Sequence, residues 1–129
     1  MRKFNSVNEL VTELKPANPV YCIRPDSIRQ ACNWFKKNFP GKTLYAVKTN
    51  PHETVIKEIK DSGINKFDIA SIEEIKLIKK IVPEAECFYM NTIKSREHIR
   101  EAYFNYKIKN FALDSKDELL KIIETTANA

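Results

Sequence analysis

The stretch Thr43-Leu44-Tyr45-Ala46-Val47-Lys48-Thr49-Asn50-Pro51 decides how the chain is read. A strand-forming apolar run, Leu44 to Val47, ends on one lysine and breaks at Asn50-Pro51, because proline removes a backbone donor and restricts the residue before it. A lysine at the carboxyl end of a buried strand is out of place. Burial disfavours its charged form, lowers its pKa and makes the amine a nucleophile, which is what a Schiff-base lysine requires. The plainer alternative is a solvated lysine just past a strand end. The surrounding pattern has to decide between the two.

Downstream, a pattern repeats. A strand at 43–48 is followed by a helix over about 52–61, stopped by Ser62-Gly63. Strands at 66–69, 86–90 and 110–113 are followed by helices over about 71–81, 95–104 and 115–124. Ser71-x-x-Glu74 and Ser115-x-x-Glu118 have the spacing of capping boxes, and Ser95 is placed to cap its helix. Strand starts recur about every 22 residues, a short period that predicts a parallel sheet of βα units. Upstream, Ser6-x-x-Glu9 opens a short helix to about Leu14, and Lys15-Pro16-Ala17-Asn18-Pro19 breaks it. Val20 to Ile23 reads as a short strand. Pro25-Asp26 starts a helix with Ile28, Ala31, Cys32 and Phe35 on one face, ended by Phe39-Pro40-Gly41.

Two α/β architectures fit, an open doubly wound sheet or part of a (β/α)₈ barrel. A barrel needs eight units and the chain supplies about four. Thr125 to Ala129 read as carrying no terminal element. The expected division is a helix and linker over 1–18 and a partial barrel domain over 19–129.

Composition narrows the function classes. A chain of 129 residues with 43% hydrophobic and 30% charged residues is an ordinary soluble globular domain. The net charge of +5 is spread along the chain and interleaved with acids, as in Lys57-Glu58-Ile59-Lys60-Asp61, which reads as solvated helix faces and not a nucleic-acid groove. Cys22, Cys32 and Cys87 show no metal-ligand spacing and read as reduced, buried thiols of a cytoplasmic protein. No apolar run spans a membrane. Gly41 and Gly63, the only glycines, cannot form a glycine-rich phosphate cradle.

In parallel α/β folds the chemistry sits at the carboxyl ends of the strands. Those ends carry Lys48-Thr49-Asn50, then Asp68 to Ser71, then Asn91 with Lys94, then Asp114-Ser115. Ser115 and Asp114 read as helix caps. Asp68 lies between Phe67 and Ile69, and a buried carboxylate wants a partner, for which Lys48 is the natural candidate. Glu74 on the next helix turn either closes a capping box or reaches the same place. His52 reads as a solvated residue at a helix start and His98 as a surface residue.

Tyr45-Ala46-Val47-Lys48-Thr49-Asn50 and Phe67-Asp68-Ile69-Ala70-Ser71, about twenty residues apart in matching βα units, together resemble the pyridoxal-phosphate decarboxylases of ornithine, lysine, diaminopimelate and arginine. Pro19-Val20-Tyr21, Arg24-Pro25-Asp26, Phe39-Pro40-Gly41, Lys94-Ser95-Arg96 and Phe111-Ala112-Leu113-Asp114-Ser115 look like the bacterial ornithine/lysine branch. The alanine racemases share the fold, but Thr49-Asn50-Pro51-His52 differs from the A-N-A-Y-G-H pattern that usually follows their lysine.

The resemblance implies the first half of a pyridoxal-phosphate-binding (β/α)₈ barrel preceded by a short strand and helix. It implies pyridoxal 5'-phosphate as cofactor and Lys48 as the catalytic lysine that bonds it. Ala46 would be the small residue beneath the cofactor, with Asp68 and Glu74 holding the lysine ammonium after substrate displaces it. No metal is implied. The implied reaction removes the α-carboxylate of ornithine or lysine as carbon dioxide, giving putrescine or cadaverine for polyamine synthesis. The family's glycine loop, ring-stacking histidine, pyridinium carboxylate and cross-dimer cysteine and aspartate lie outside these residues. The implied partners are an amino-acid substrate and either a second copy or a complementing carboxyl-terminal half. An inactive relic, or a binding subunit of a decarboxylase, is the alternative.

Overall fold

Helix starts are set by side chains. The computed structural model describes residues 2–126, and within it four helices begin on a serine hydroxyl that accepts an amide three residues on. Ser6 accepts from Glu9, Ser71 from Glu74, Ser95 from His98 and Ser115 from Glu118, at 3.1–3.2 Å. The elements are α1 (Val7–Leu14), α2 (Pro25–Asn38), β1 (Tyr45–Ala46), a 3-10 turn (Val47–Thr49), α3 (Glu53–Asp61), β2 (Lys66–Ile69), α4 (Ile72–Ile81), β3 (Glu86–Tyr89), α5 (Arg96–Tyr106), β4 (Asn110–Phe111) and α6 (Lys116–Thr125). Gly63 ends α3 at φ +86°, a conformation that strains any residue with a Cβ. The expectation of no element after Thr125 falls partly on 127–129, outside the described residues.

All four strands are parallel and lie in the order β1-β2-β3-β4. A doubly wound sheet reverses its strand order at a switch point, whereas a (β/α)₈ barrel adds each strand beside the last. The sheet is therefore a four-strand arc of a barrel. Consecutive helices pack against each other in sequence from α2 to α6. Phe67, Ile69, Cys87 and Tyr89 are buried with Ile56, Ile59, Ile75, Ile78 and Val82. Each such apolar side chain contributes roughly 1.5–3 kcal/mol by leaving water. Among the described residues no helix is long and apolar enough to cross a membrane.

The structure departs from the sequence reading at several points. The strand expected over 43–48 is only Tyr45–Ala46, and the lysine falls on the 3-10 turn after it. There the Thr49 hydroxyl donates to the Ala46 carbonyl, drawing the chain into a turn where a strand would continue. Edge strands β1 and β4 have one hydrogen-bonded neighbour each, and both are trimmed to two residues. Val20 to Ile23 form no strand but an irregular arm ahead of α2, with no sheet neighbour among the described residues.

Cys22 is exposed, not buried, while Cys32 and Cys87 are buried. Desolvation pushes the Cys87 thiol up to about 11 and raises that of Cys32, removing the reactive thiolate at neutral pH. A maleimide reagent should therefore label Cys22 quickly in the native chain and the other two only after unfolding. Fast native labelling of Cys87 would contradict the packing of β3.

Candidate active site

Strand register assembles the site's floor. Ala46 lies opposite Asp68, Asp68 opposite Phe88, and Phe88 opposite Asn110. Residues in register share a face, and alternate residues face opposite ways. Phe67 and Ile69 of β2 are buried beneath the helices, so the Ala46–Asp68–Phe88–Asn110 row lies on the concave inner face of the arc. Ala46 and Asp68 are thus neighbours on that face, at the carboxyl-terminal half of their strands.

Lys48 follows Ala46 by two residues and is exposed. The burial expected from the sequence is absent, because the 3-10 turn lifts the residue off the strand end onto the rim. Among the described residues the Lys48 side chain makes no hydrogen bond or ion pair, and the expected Lys48–Asp68 ion pair is not formed. Asp68 is half-buried. Glu74 is half-buried too, and its Oε2 accepts the Ala70 amide at 2.8 Å while its own amide donates to Ser71. That is the capping role offered as one of its two readings. His52 caps α3 through Nδ1, which accepts the Thr54 amide at 3.2 Å. Among the described residues no cluster of three His, Cys, Asp or Glu side chains is placed to hold a metal.

Sequence reasoning missed a buried ion pair at the other end of the rim. The Lys94 side chain is fully buried and its Nζ lies 2.9 Å from Glu118 Oε1, a residue 4% exposed. Lys94 Nζ also donates to the Asn91 carbonyl at 2.8 Å and the Ala112 carbonyl at 2.6 Å, and its backbone amide donates to Glu118 Oε1. The ammonium also sits over the Tyr89 ring, 5.7 Å from its centroid. One lysine thus ties the carboxyl ends of β3 and β4 to the start of α6. Burial alone would push the Glu118 carboxyl up, but hydrogen bonds from Lys121 and Lys94 outweigh it and hold the group below its ordinary range. With its pKa depressed on folding, Glu118 contributes stability that is complete above the ordinary carboxylate value of 4.5 and lost as pH falls through its own lower value. Denaturant midpoints should therefore fall below that pH, and Glu118→Gln should flatten this part of the profile. An unchanged slope would contradict the assignment.

A sequentially ordered parallel arc with polar residues along its carboxyl rim defines part of a (β/α)₈ barrel. Residues 25–129 match the family model described as pyridoxal-dependent decarboxylase, pyridoxal binding domain. The chain belongs to this family, whose cofactor is pyridoxal 5'-phosphate. Among solved structures it is similar to the lysine/ornithine decarboxylase of Vibrio vulnificus complexed with cadaverine, at 28% identity and a TM-score of 0.79, covering 92% of this chain and 34% of that one. It is also similar to the ornithine decarboxylase of Entamoeba histolytica, at 32% identity and a TM-score of 0.72, covering 78% and 30%. The arginine decarboxylase of Paramecium bursaria Chlorella virus bound to agmatine shows 27% identity and a TM-score of 0.84, covering 95% and 33%. The chain thus spans about a third of the length of these relatives. No curated protein matches it by sequence.

Proposed function

We propose that the chain is the cofactor-lysine portion of a decarboxylase of basic amino acids, with ornithine or lysine as substrate and putrescine or cadaverine as product. The observation that carries this reading is the unengaged Lys48 amine on the carboxyl rim, two residues beyond an Ala46 that lies in register with Asp68. The residues fit pyridoxal phosphate by their chemistry. A primary amine with no internal partner among the described residues is free to condense with an aldehyde, and a small residue and a carboxylate lie in register on the strands beside its turn.

In this reading Lys48 would hold the cofactor through its side-chain amine. Ala46 leaves room on the barrel floor. Asp68 and Glu74 would hold the Lys48 ammonium whenever the amine is not bonded to the cofactor. When bound, the cofactor supplies a ring that takes up the electron pair left as the α-carboxylate departs as carbon dioxide. The remaining cofactor contacts are supplied by a second copy or a complementing carboxyl-terminal half. We place the domain boundary between 18 and 19, supported by Leu10 being the one buried residue of α1. Three unpaired cysteines support a reducing, cytoplasmic setting.

Carbon dioxide release from carboxyl-labelled ornithine, lysine and arginine tests the proposal. The chain would be assayed with pyridoxal phosphate, alone and mixed with a Vibrio vulnificus lysine/ornithine decarboxylase lacking its first third. Release that requires both pieces and is lost in Lys48→Ala supports it. No release in any mixture favours an inactive relic or binding subunit.

A further inference from the structure

Beside the Thr49–Ala46 bond, the turn that carries Lys48 is held through Asn50. Its amide donates to the Val47 carbonyl at 3.2 Å. Its Oδ1 accepts the His52 amide at 3.1 Å, and its carbonyl accepts the Tyr45 hydroxyl at 3.0 Å. Burial raises the Tyr45 phenol pKa, so it stays a donor. The last polar group of Asn50, Nδ2, donates to the Tyr21 hydroxyl. Every backbone and side-chain polar group of Asn50 is therefore engaged. Of the four partners, only Tyr21 comes from outside this stretch, and it approaches from the irregular arm ahead of α2. The Tyr21 ring also stacks on His52, with centroids 6.4 Å apart and planes at 27°.

We propose that Tyr21 is a positioning residue for Lys48: it clamps Asn50, and through Asn50 fixes the backbone of the turn while leaving the amine free. This rests on the reading of Lys48 as the cofactor lysine. Two observations separate it from ordinary packing. Tyr21 is 68% exposed, so core burial does not account for its place. Lys48 has no partner among the described residues, so the chain fixes this residue only through its backbone. A reactive group gains most from a fixed attachment point with an unobstructed tip.

The test compares Tyr21→Phe, which keeps the ring and removes the hydroxyl, with Asn50→Ala and with Val20→Ala as a control in the same arm. Hydrogen exchange of the Asn50 and His52 amides is measured on the chain without cofactor. Both should exchange about tenfold faster in Tyr21→Phe and Asn50→Ala and stay unchanged in Val20→Ala, with equal thermal midpoints for Tyr21→Phe and the control. Borohydride trapping of pyridoxal phosphate at Lys48, relative to Lys42 and Lys57, should fall about tenfold in Tyr21→Phe. Unchanged exchange in Tyr21→Phe overturns the clamp whatever the cofactor does. Faster exchange with undiminished Lys48 trapping overturns the positioning role. A wild-type chain that traps no more at Lys48 than elsewhere overturns the functional reading, while the exchange data still decide the clamp.

Discussion

Replacing Glu118 by alanine is expected to destabilise the chain by about 3–5 kcal/mol, the range for breaking a buried ion pair from one side. The reason is what remains. Lys94 stays fully buried, and its ammonium keeps the Asn91 and Ala112 carbonyls and the Tyr89 ring but no counter-charge. Glu118 also accepts the Lys94 amide and pairs with Lys121 at 2.5 Å, so one substitution removes several contacts. Removing both charges together should cost less, because well-packed apolar replacements avoid the desolvation penalty. The double variant Lys94→Met with Glu118→Leu should therefore be more stable than Glu118→Ala. Denaturant titration reads both. A loss below about 1 kcal/mol for Glu118→Ala would mark the pair as solvated.

Replacing Lys48 by arginine is expected to abolish function while leaving the fold intact. Arginine keeps the positive charge but does not condense with an aldehyde at neutral pH, since its guanidinium stays protonated. Lys48 is exposed on a turn, so thermal stability should change by less than about 0.5 kcal/mol. Carbon dioxide release in the complemented assay should fall by at least about a thousandfold, the scale seen when a nucleophile is removed. Asp68→Asn, which removes a charge but no bond to the cofactor, should lose less, on the order of 100-fold. Activity retained in Lys48→Arg would move the site elsewhere.

The architecture was legible because local and global signals agree. The serines at 6, 71, 95 and 115 announce helix starts, and their hydroxyls cap as the spacing requires. The central strands came through with β2 unchanged and β3 one residue shorter than expected, because each has a neighbour on both sides. The edge strands were overestimated because strand propensity around Thr43 and Leu113 does not register a missing neighbour. Cys22 was misjudged by its apolar neighbours Tyr21 and Ile23, and Tyr21 is itself exposed. Lys48 was placed in a buried strand because the run before it hides the 3-10 turn that Thr49 helps to form.

The Lys94–Glu118 pair escaped for a different reason. Ser115-x-x-Glu118 explains the glutamate locally, yet its carboxylate turns to a lysine 24 residues away. The Ser71 box does carry its glutamate back toward the strand, to Ala70. Identical spacing therefore served two purposes, and only the tertiary neighbour of each carboxylate separates them.

The central claim is that Lys48 is a cofactor lysine. The most direct test is to titrate the purified chain with pyridoxal phosphate, reduce with borohydride and map the labelled peptides. The chain carries 17 lysines, so chance labelling would scatter. Saturable label concentrated on Lys48 at low cofactor concentration, and lost in Lys48→Arg, is the predicted result. Weak label distributed over many lysines, with Lys48 no more reactive than Lys42 or Lys57, would contradict it.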